Sequence, residues 1–159
     1  MKITLYVIGS LKESYWKDAV GEYAKRLRAY CDLRIEECPD FPCPDKASQK
    51  EIDAVKKKEA AGVLKKLKKG EYLIALDLKG RQLDSVAFAH ELEKDFVEHG
   101  AAVSFLIGGS MGIDEELLAR ADASICLGKN TYPHQLVRVM LLEQIYRAFK
   151  ILRGEPYHK

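Results

Sequence analysis

Two segments in the last third of the sequence constrain the fold most, because each changes from an apolar run to a glycine-bearing loop and then to a helical pattern. They are FLIGGSMGI, from Phe105 to Ile113, and the segment from Leu127 to Lys159. A strand that ends in such a loop directs exposed backbone amides towards a small ligand at the start of the next helix. We therefore expect the two loops to form one pocket.

Apolar, β-favouring runs alternate with helical patterns along the rest of the chain. Strands are predicted at Lys2–Gly9, around Leu33–Ile35, and in the segments YLIALDL, AAVSFLIG and ASICLG, with a turn at Lys79–Gly80 after YLIALDL. Helices are predicted at Ser14–Tyr30, from a capping box at Ser48 to before Gly70, at Ser85–His99, at Asp114–Arg120, and from the NTYPHQ loop to about Leu152. The pattern predicts an α/β domain in which helices flank a parallel sheet.

Length and composition fit a single domain over residues 1–159. The chain is 47% hydrophobic and 31% charged, with a formal net charge of +2. No apolar stretch approaches the roughly eighteen residues needed to cross a bilayer, and the N-terminus has the pattern of a strand and not of a signal peptide. The cysteines Cys31, Cys38, Cys43 and Cys126 follow no metal-ligand spacing. We expect a cytoplasmic protein with reduced thiols, no membrane role and no bound metal.

Basic residues are concentrated in two places. Between Lys46 and Lys69 there are nine lysines and three acids, and from Lys129 onward there are six cations and two acids. The first cluster lies on a helical pattern, where a solvated face is the ordinary interpretation. Aromatic residues are not interleaved with basic ones as in single-strand binding platforms.

The final helical pattern is apolar on almost every side. Its apolar residues are Leu136, Val137, Val139, Met140, Leu141, Leu142, Ile145, Tyr146, Phe149, Ile151 and Leu152. One sheet face covers only one stripe of a helix, so a second covering surface is required. A homodimer through this helix is the favoured prediction, and burial within the monomer is the alternative.

The loops contain binding and proton-transfer groups but no nucleophile motif. The GGxxG spacing of Gly108, Gly109 and Gly112 differs from the dinucleotide fingerprint and lacks the P-loop lysine, and a simple tight turn is its alternative interpretation. No G-x-S-x-G elbow indicates covalent catalysis. The groups able to take a proton or stabilise an anion are His134, Arg138, Arg147, Tyr157 and His158. A structural role for His134 and a disordered tail are the alternatives.

Three segments, MKITLYVIG, FLIGGSMGI and LGKNTYPHQLVRVMLLEQIYRAFKILRGEPYHK, together resemble the ribosomal RNA large subunit methyltransferase H family, of the SPOUT class. The resemblance extends over the whole chain, and YPHQLVR and GEPYHK are its most specific parts. It implies an S-adenosylmethionine-dependent enzyme that methylates N3 of a pseudouridine in the helix 69 stem-loop of 23S rRNA, on the assembled 70S ribosome. It also implies a homodimer and a deep C-terminal trefoil knot, which general rules of chain topology do not predict. For such an RNA substrate, the lysine-rich helix between Lys46 and Lys69 is a candidate phosphate contact, and specificity is expected to come from ribosome shape.

The resemblance also implies the residues of the site. Carried over by motif, the cofactor-binding residues are Leu76, Gly108, Leu127, Gly128, Lys129, Asn130, Thr131 and Tyr132. Leu76 and Leu127 are expected to flank the adenine. N3 of a uracil-type ring loses its proton as it attacks the methyl group, so the reaction needs a proton acceptor and a group that stabilises charge. The family-like tail assigns the proton-handling role to His158 or Tyr157 and the stabilising or orienting role to Arg147.

Two other functions are compatible with parts of the pattern. A nucleotide-binding oxidoreductase would use a similar α/β fold, but the fingerprint glycine and the acidic ribose partner are missing. A ribosome-binding module without catalysis would keep the basic surface but would not require intact cofactor loops.

Overall fold

Helices and strands alternate along the chain in the computed structural model, which describes all 159 residues. The strands are β1 (Lys2–Ile8), β2 (Asp32–Cys38), β3 (Leu73–Gln82), β4 (Ala102–Ile107) and β5 (Ala123–Cys126). The helices are α1 (Ser14–Leu27), α2 (Gln49–Lys66), α3 (Ser85–Glu98), α4 (Glu115–Arg120) and α5 (His134–Leu152). All neighbouring strands are parallel, in the order β2-β1-β4-β3-β5. The predicted α/β architecture, a parallel sheet flanked by helices, is confirmed.

The buried side chains form two clusters, one on each face of the sheet. Alternate residues of β1 point to opposite faces, so Leu5 packs with α1, α3 and α5 while Tyr6 packs with α2 and α4. Every residue from Val103 to Ile107 of β4 is buried, as its near-continuous apolar sequence predicts. The sheet is therefore covered on both sides, and its two ends remain available for a site.

Local signals in the sequence set most of the helix ends. At Ser48 the predicted capping box forms, since the hydroxyl accepts from the Glu51 amide at 3.3 Å and the Glu51 carboxylate accepts from the Ser48 amide at 2.7 Å. Asp84 caps α3 by accepting from the Ala87 amide at 2.7 Å. After α3, Gly100 adopts a φ of +68°, a conformation that stops a helix and favours glycine.

The predicted turn at Lys79–Gly80 is wrong, because both residues lie inside β3. Leu76 and Arg81 both pair with Ile125 of β5, so residues 77–80 form a bulge within the strand. At the end of the bulge, Gly80 lies so close to β5 that a Cβ atom would be 2.6 Å from the backbone N and C of Ile125. The glycine therefore permits a close approach of two strands and does not reverse the chain.

Helix α5 is covered on one side by the sheet, α1 and α3. The covered residues include Leu141, Leu142 and Ile145, which are fully buried, whereas Val139 and Met140 are only half-buried. The half-buried stripe leaves an apolar surface for a second covering element, and the homodimer stays a prediction. The trefoil knot implied by the resemblance also stays a prediction. None of the helices has the length and apolar character that crossing a bilayer requires.

Candidate functional site

A cavity of about 570 Å³ opens at the carboxyl edge of the sheet, where β4 and β5 end and β3 bulges. It is lined by residues of the β3 bulge, the loop after β4, the loop after β5 and the first turn of α5. Both glycine loops thus contribute to one cavity. Its volume lies within the roughly 300–1,000 Å³ of small-molecule sites, and its position is where open α/β sheets bind ligands.

Seven of the eight residues predicted to bind a cofactor line this cavity. They are Leu76, Gly108, Leu127, Gly128, Asn130, Thr131 and Tyr132. Lys129, the eighth residue, is exposed and does not line the cavity. The half-buried aliphatic side chains of Leu76 and Leu127 offer apolar surface to a planar ring.

The glycine loop after β4 is a tight turn that also forms a wall of the cavity. Gly112 has a φ of +86°, and its amide donates to the Gly109 carbonyl at 3.1 Å. At Gly109, a Cβ atom would lie 2.9 Å from Oε2 of Glu59. The tight-turn interpretation and the binding interpretation of GGxxG are thus compatible.

His134 is the first residue of α5 and lines the cavity half-buried. Burial lowers its pKa, and the neighbouring positive charge of Arg138 lowers the pKa further. The imidazole is therefore neutral at pH 7 and can hydrogen-bond a ligand without adding charge. Its position at a helix start agrees with the structural alternative, and its place in the cavity wall agrees with the functional one.

Arg138 is an internal anchor and does not line the cavity. Its side chain is buried, with Nη2 donating to the carbonyls of Ile8 at 3.0 Å and Gly9 at 2.8 Å. Nη1 lies 3.6 Å from Oε1 of Glu37. These contacts tie the first turn of α5 to the end of β1, so the arginine positions the cavity wall.

Glu59 of α2 is a buried acid that the sequence analysis did not identify. Glu59 is 3% exposed. Its Oε1 atom accepts a hydrogen bond from the Phe41 amide at 3.2 Å, whereas Oε2 has no hydrogen-bond partner. Burial raises its pKa, the Phe41 amide opposes this shift, and the charge of Asp40 adds to it. The carboxyl group therefore supports the Gly109 loop from behind, with protonation favoured by folding.

Replacing Glu59 by Gln is expected to stabilise the protein at pH 8 by about 1 kcal/mol, because it removes the cost of a buried unpaired charge. A raised pKa in the folded state means that the stabilising effect of the protonated acid is complete below the ordinary glutamate pKa and is lost as pH rises through the folded-state pKa. Urea unfolding at pH 5 and pH 8 measures this, and the advantage of Gln should be confined to the higher pH.

The matched control for that substitution is Glu51→Gln on the same helix. Glu51 is exposed, and hydrogen bonds from Ser48 lower its pKa, so its contribution has the opposite pH dependence. A Glu59→Gln variant whose stability changed with pH as the wild type does would contradict the protonation of Glu59.

The three residues predicted to act in catalysis lie together on α5 and the tail. The Tyr157 hydroxyl donates to Oε1 of Glu143 at 3.2 Å, and Nε of Arg147 donates to the same oxygen at 3.0 Å. The Arg147 guanidinium carbon is 4.7 Å from the Tyr157 ring centroid, and Nη1 is 3.4 Å from Nδ1 of His158. The tail is therefore packed against α5, contrary to the alternative of a disordered end.

Glu143 organises this cluster, although the sequence analysis did not select it. Its i,i+4 spacing to Arg147 was the available signal. Burial raises the pKa of Tyr157 to about 12, and Tyr23 and Glu143 add to the shift. The hydrogen bond from Arg147 to Glu143 raises the pKa of the guanidinium. At neutral pH Tyr157 is thus a hydrogen-bond donor, while Arg147 is a fixed cation.

The structure does not bring this tail cluster to the cavity of its own chain. Neither Arg147 nor Tyr157 nor His158 lines the cavity. Arg147 lies ten positions after Val137, the last residue of α5 that lines the cavity, which corresponds to roughly 15 Å along the axis. The predicted cofactor residues and the predicted catalytic residues therefore form two separate groups within one chain.

The lysines of α2 are mostly exposed, as the sequence predicts. Lys66 is an exception in its contacts, since Nζ donates to the Glu37 carbonyl at 2.7 Å and lies 3.3 Å from Oε2 of Glu36. Lys65, next to it, makes no such contact and is exposed. An RNA phosphate contact through this face stays a prediction.

One family model and two solved structures share this fold. A family model described as a predicted SPOUT methyltransferase matches residues 1–158. A probable methylase family protein from Haemophilus influenzae Rd KW20 superposes with a TM-score of 0.55 at 11% identity, over 99% of this chain and 70% of the other. A structure described as giving insights into 2-OH methylation of C/U34 on tRNA has a TM-score of 0.50 at 16% identity, and the match covers 97% of this chain and 98% of the other. The parallel sheet with its carboxyl-edge cavity is thus that of a SPOUT methyltransferase.

Sequence relatives define the family more narrowly. The ribosomal RNA large subunit methyltransferase H proteins of Clostridium beijerinckii and Clostridium acetobutylicum are each 50% identical to this chain, over 100% of both chains. The protein of the same name from Acetivibrio thermocellus is 49% identical, also over 100% of both. The chain therefore belongs to the ribosomal RNA large subunit methyltransferase H family. This membership decides against the oxidoreductase and against a module without catalysis.

Proposed function

We propose that this protein transfers a methyl group from S-adenosylmethionine to N3 of a pseudouridine in the helix 69 stem-loop of 23S rRNA, on the assembled 70S ribosome. The observation that carries the proposal is the single cavity formed by the three separate segments that the resemblance assigns to the cofactor. The name of the relatives supports large-subunit ribosomal RNA as the substrate. The protein would act in the cytoplasm, where ribosomes assemble.

The cavity residues fit the cofactor in shape and chemistry. Leu76 and Leu127 supply aliphatic surface for the adenine, and backbone groups of the two glycine loops are accessible to the ribose and the amino-acid portion. No side chain caps the start of α5, so its free amides offer positive potential to a carboxylate. S-adenosylmethionine supplies a methyl group activated by its positively charged sulfur.

The residues of the tail fit the remaining step of the reaction. The N3–CH₃ bond forms as the S–CH₃ bond breaks, and the N3 proton passes to a base. His158 is exposed, and its imidazole is the group of the tail that we assign to receive that proton. Tyr157 holds its own proton because its pKa is raised to about 12, so it is assigned to orientation. Arg147, fixed by Glu143, stabilises the negative charge that develops on the pseudouridine ring as N3 loses its proton.

The separation of the two groups requires a second copy of the chain. Roughly 15 Å of helix lies between Val137, which lines the cavity, and Arg147 of the same chain, too far for a concerted transfer. In a symmetric dimer that uses the half-buried face of α5, the tail of one subunit can meet the cavity of the other. We therefore assign the complete site to a homodimer.

The experiment that tests the function uses ribosomes that carry the pseudouridine but lack its methyl group. Incubation with purified protein and S-adenosylmethionine, followed by nucleoside mass spectrometry of the rRNA, is expected to show 3-methylpseudouridine. Free 23S rRNA is the matched control, and we expect little product from it. No product on ribosomes that a known active enzyme modifies would contradict the assignment.

A further inference from the structure

Exposed apolar side chains are concentrated at the edge of the sheet that contains the cavity. Four of the six exposed large apolar residues, Tyr15, Phe41, Leu78 and Val86, lie after carboxyl ends of strands or in the β3 bulge. Leu78 lines the cavity itself. Single exposed apolar residues are ordinary, but a cluster beside a binding cavity indicates an interaction surface.

Tyr15 and Trp16 form an aromatic pair at the start of α1. Their ring centroids are 5.1 Å apart with an interplanar angle of 57°, and Tyr15 is 61% exposed. The loop before them is fixed near the cavity, because the Gly9 carbonyl accepts from Arg138, one turn after the cavity residue His134. The pair therefore follows a loop that is anchored at the carboxyl edge of the sheet.

Phe41 is a second exposed aromatic residue at the same edge. Lys58 Nζ lies 5.8 Å from the centroid of its ring. The Phe41 amide donates to Glu59, and the other oxygen of that carboxyl group faces Gly109 in the cavity wall. A single carboxyl group thus separates the Phe41 backbone from the cavity loop. The Gly9 amide donates to the Cys38 carbonyl at 2.8 Å, which places the loops after β1 and β2 side by side.

We propose that Tyr15, Trp16 and Phe41 form a stacking surface for unpaired bases of the RNA substrate, an inference that rests on the proposed function. Exposed aromatic rings bind unpaired bases with little sequence preference, because every base has a π face. The aromatic residues are distant in the sequence, but they follow the carboxyl ends of β1 and β2, which are neighbouring strands. A target base held in the cavity would then have its flanking nucleotides on this surface.

The charges around the surface are balanced, which favours stacking over phosphate contacts. The exposed cations are Lys12, Lys17 and Lys58, and the exposed acids are Glu13, Asp18 and Asp40. Binding through phosphates depends steeply on salt, whereas stacking does not. We therefore expect the binding of single-stranded RNA to this surface to change little between low and moderate salt.

Trp16 is the sole tryptophan of the chain, so its fluorescence reports directly on this surface. Titration of the full-length protein with a single-stranded uridine hexanucleotide is expected to quench the Trp16 emission. Tyr15→Ala and Phe41→Ala should each weaken that binding roughly tenfold, whereas Tyr15→Phe should retain it. Val97→Ala is the matched control, since Val97 is 80% exposed at the opposite edge of the sheet, and it should bind as the wild type does.

Calorimetric titration with S-adenosylmethionine accompanies each variant and is expected to give wild-type affinity. The stacking surface would be overturned by any of three results. They are the absence of hexanucleotide binding, an unchanged Trp16 emission when a labelled hexanucleotide binds, and wild-type affinity in both alanine variants. Dissociation of an oligomer by Tyr15→Ala would overturn it in favour of a subunit contact. A wild-type protein that binds the hexanucleotide but does not methylate ribosomes would support the surface while contradicting the proposed function.

Discussion

Replacing Gly80 by Ala is expected to destabilise the protein by about 3 kcal/mol, the upper range for overpacking in a closely packed interior. The added Cβ would lie 2.6 Å from the backbone N and C atoms of Ile125, and backbone atoms cannot rotate away as a side chain does. Relief requires β3 and β5 to separate at the point where they line the cavity. Urea unfolding followed by circular dichroism measures the loss, and calorimetry should show weaker cofactor binding.

Gly21→Ala is the matched control for this substitution. Gly21 lies inside α1 with open space around the position of a Cβ atom. Alanine is favoured over glycine in a helix, so this variant should gain about 0.5–1 kcal/mol. If Gly80→Ala were as stable as the wild type, the close approach of the β3 bulge to β5 would be incorrect.

Elements with local signals could be predicted from the sequence. The capping box at Ser48 and the stop at Gly100 each depend on contacts within a few residues, and both occur as predicted. The two glycine loops were also expected to meet, because parallel strands present their carboxyl ends at one edge. That argument needs only the direction of the strands and not their order.

Features that depend on the order of the strands were not predictable in the same way. The sequence KG after an apolar run is typical of a turn, and only the contact of Gly80 with Ile125 shows why a glycine stands there. Glu59 belongs to a lysine-rich segment, so nothing local indicates that it faces Gly109.

Mixed dimers are expected to recover activity that neither parent variant has. In one chain, Gly108→Val disrupts the cavity, because a Cβ at this position would already lie 2.8 Å from Cγ1 of Ile113. In the other chain, Tyr157→Ala and His158→Ala remove the tail groups. If one subunit's tail completes the other's cavity, a doubly tagged and purified mixed dimer has one intact site of two. It should then show roughly half of the wild-type methylation of ribosomes.

The reverse arrangement provides the control. When all three substitutions are in one chain and its partner is wild type, each site combines one defective and one intact half. We expect this dimer to be inactive, although one of its subunits carries no substitution. A site confined to one chain predicts the opposite for both dimers, with activity here and none in the first arrangement. Sedimentation of each preparation verifies the dimer, and a wild-type protein that sediments as a monomer at micromolar concentration would contradict the shared site directly.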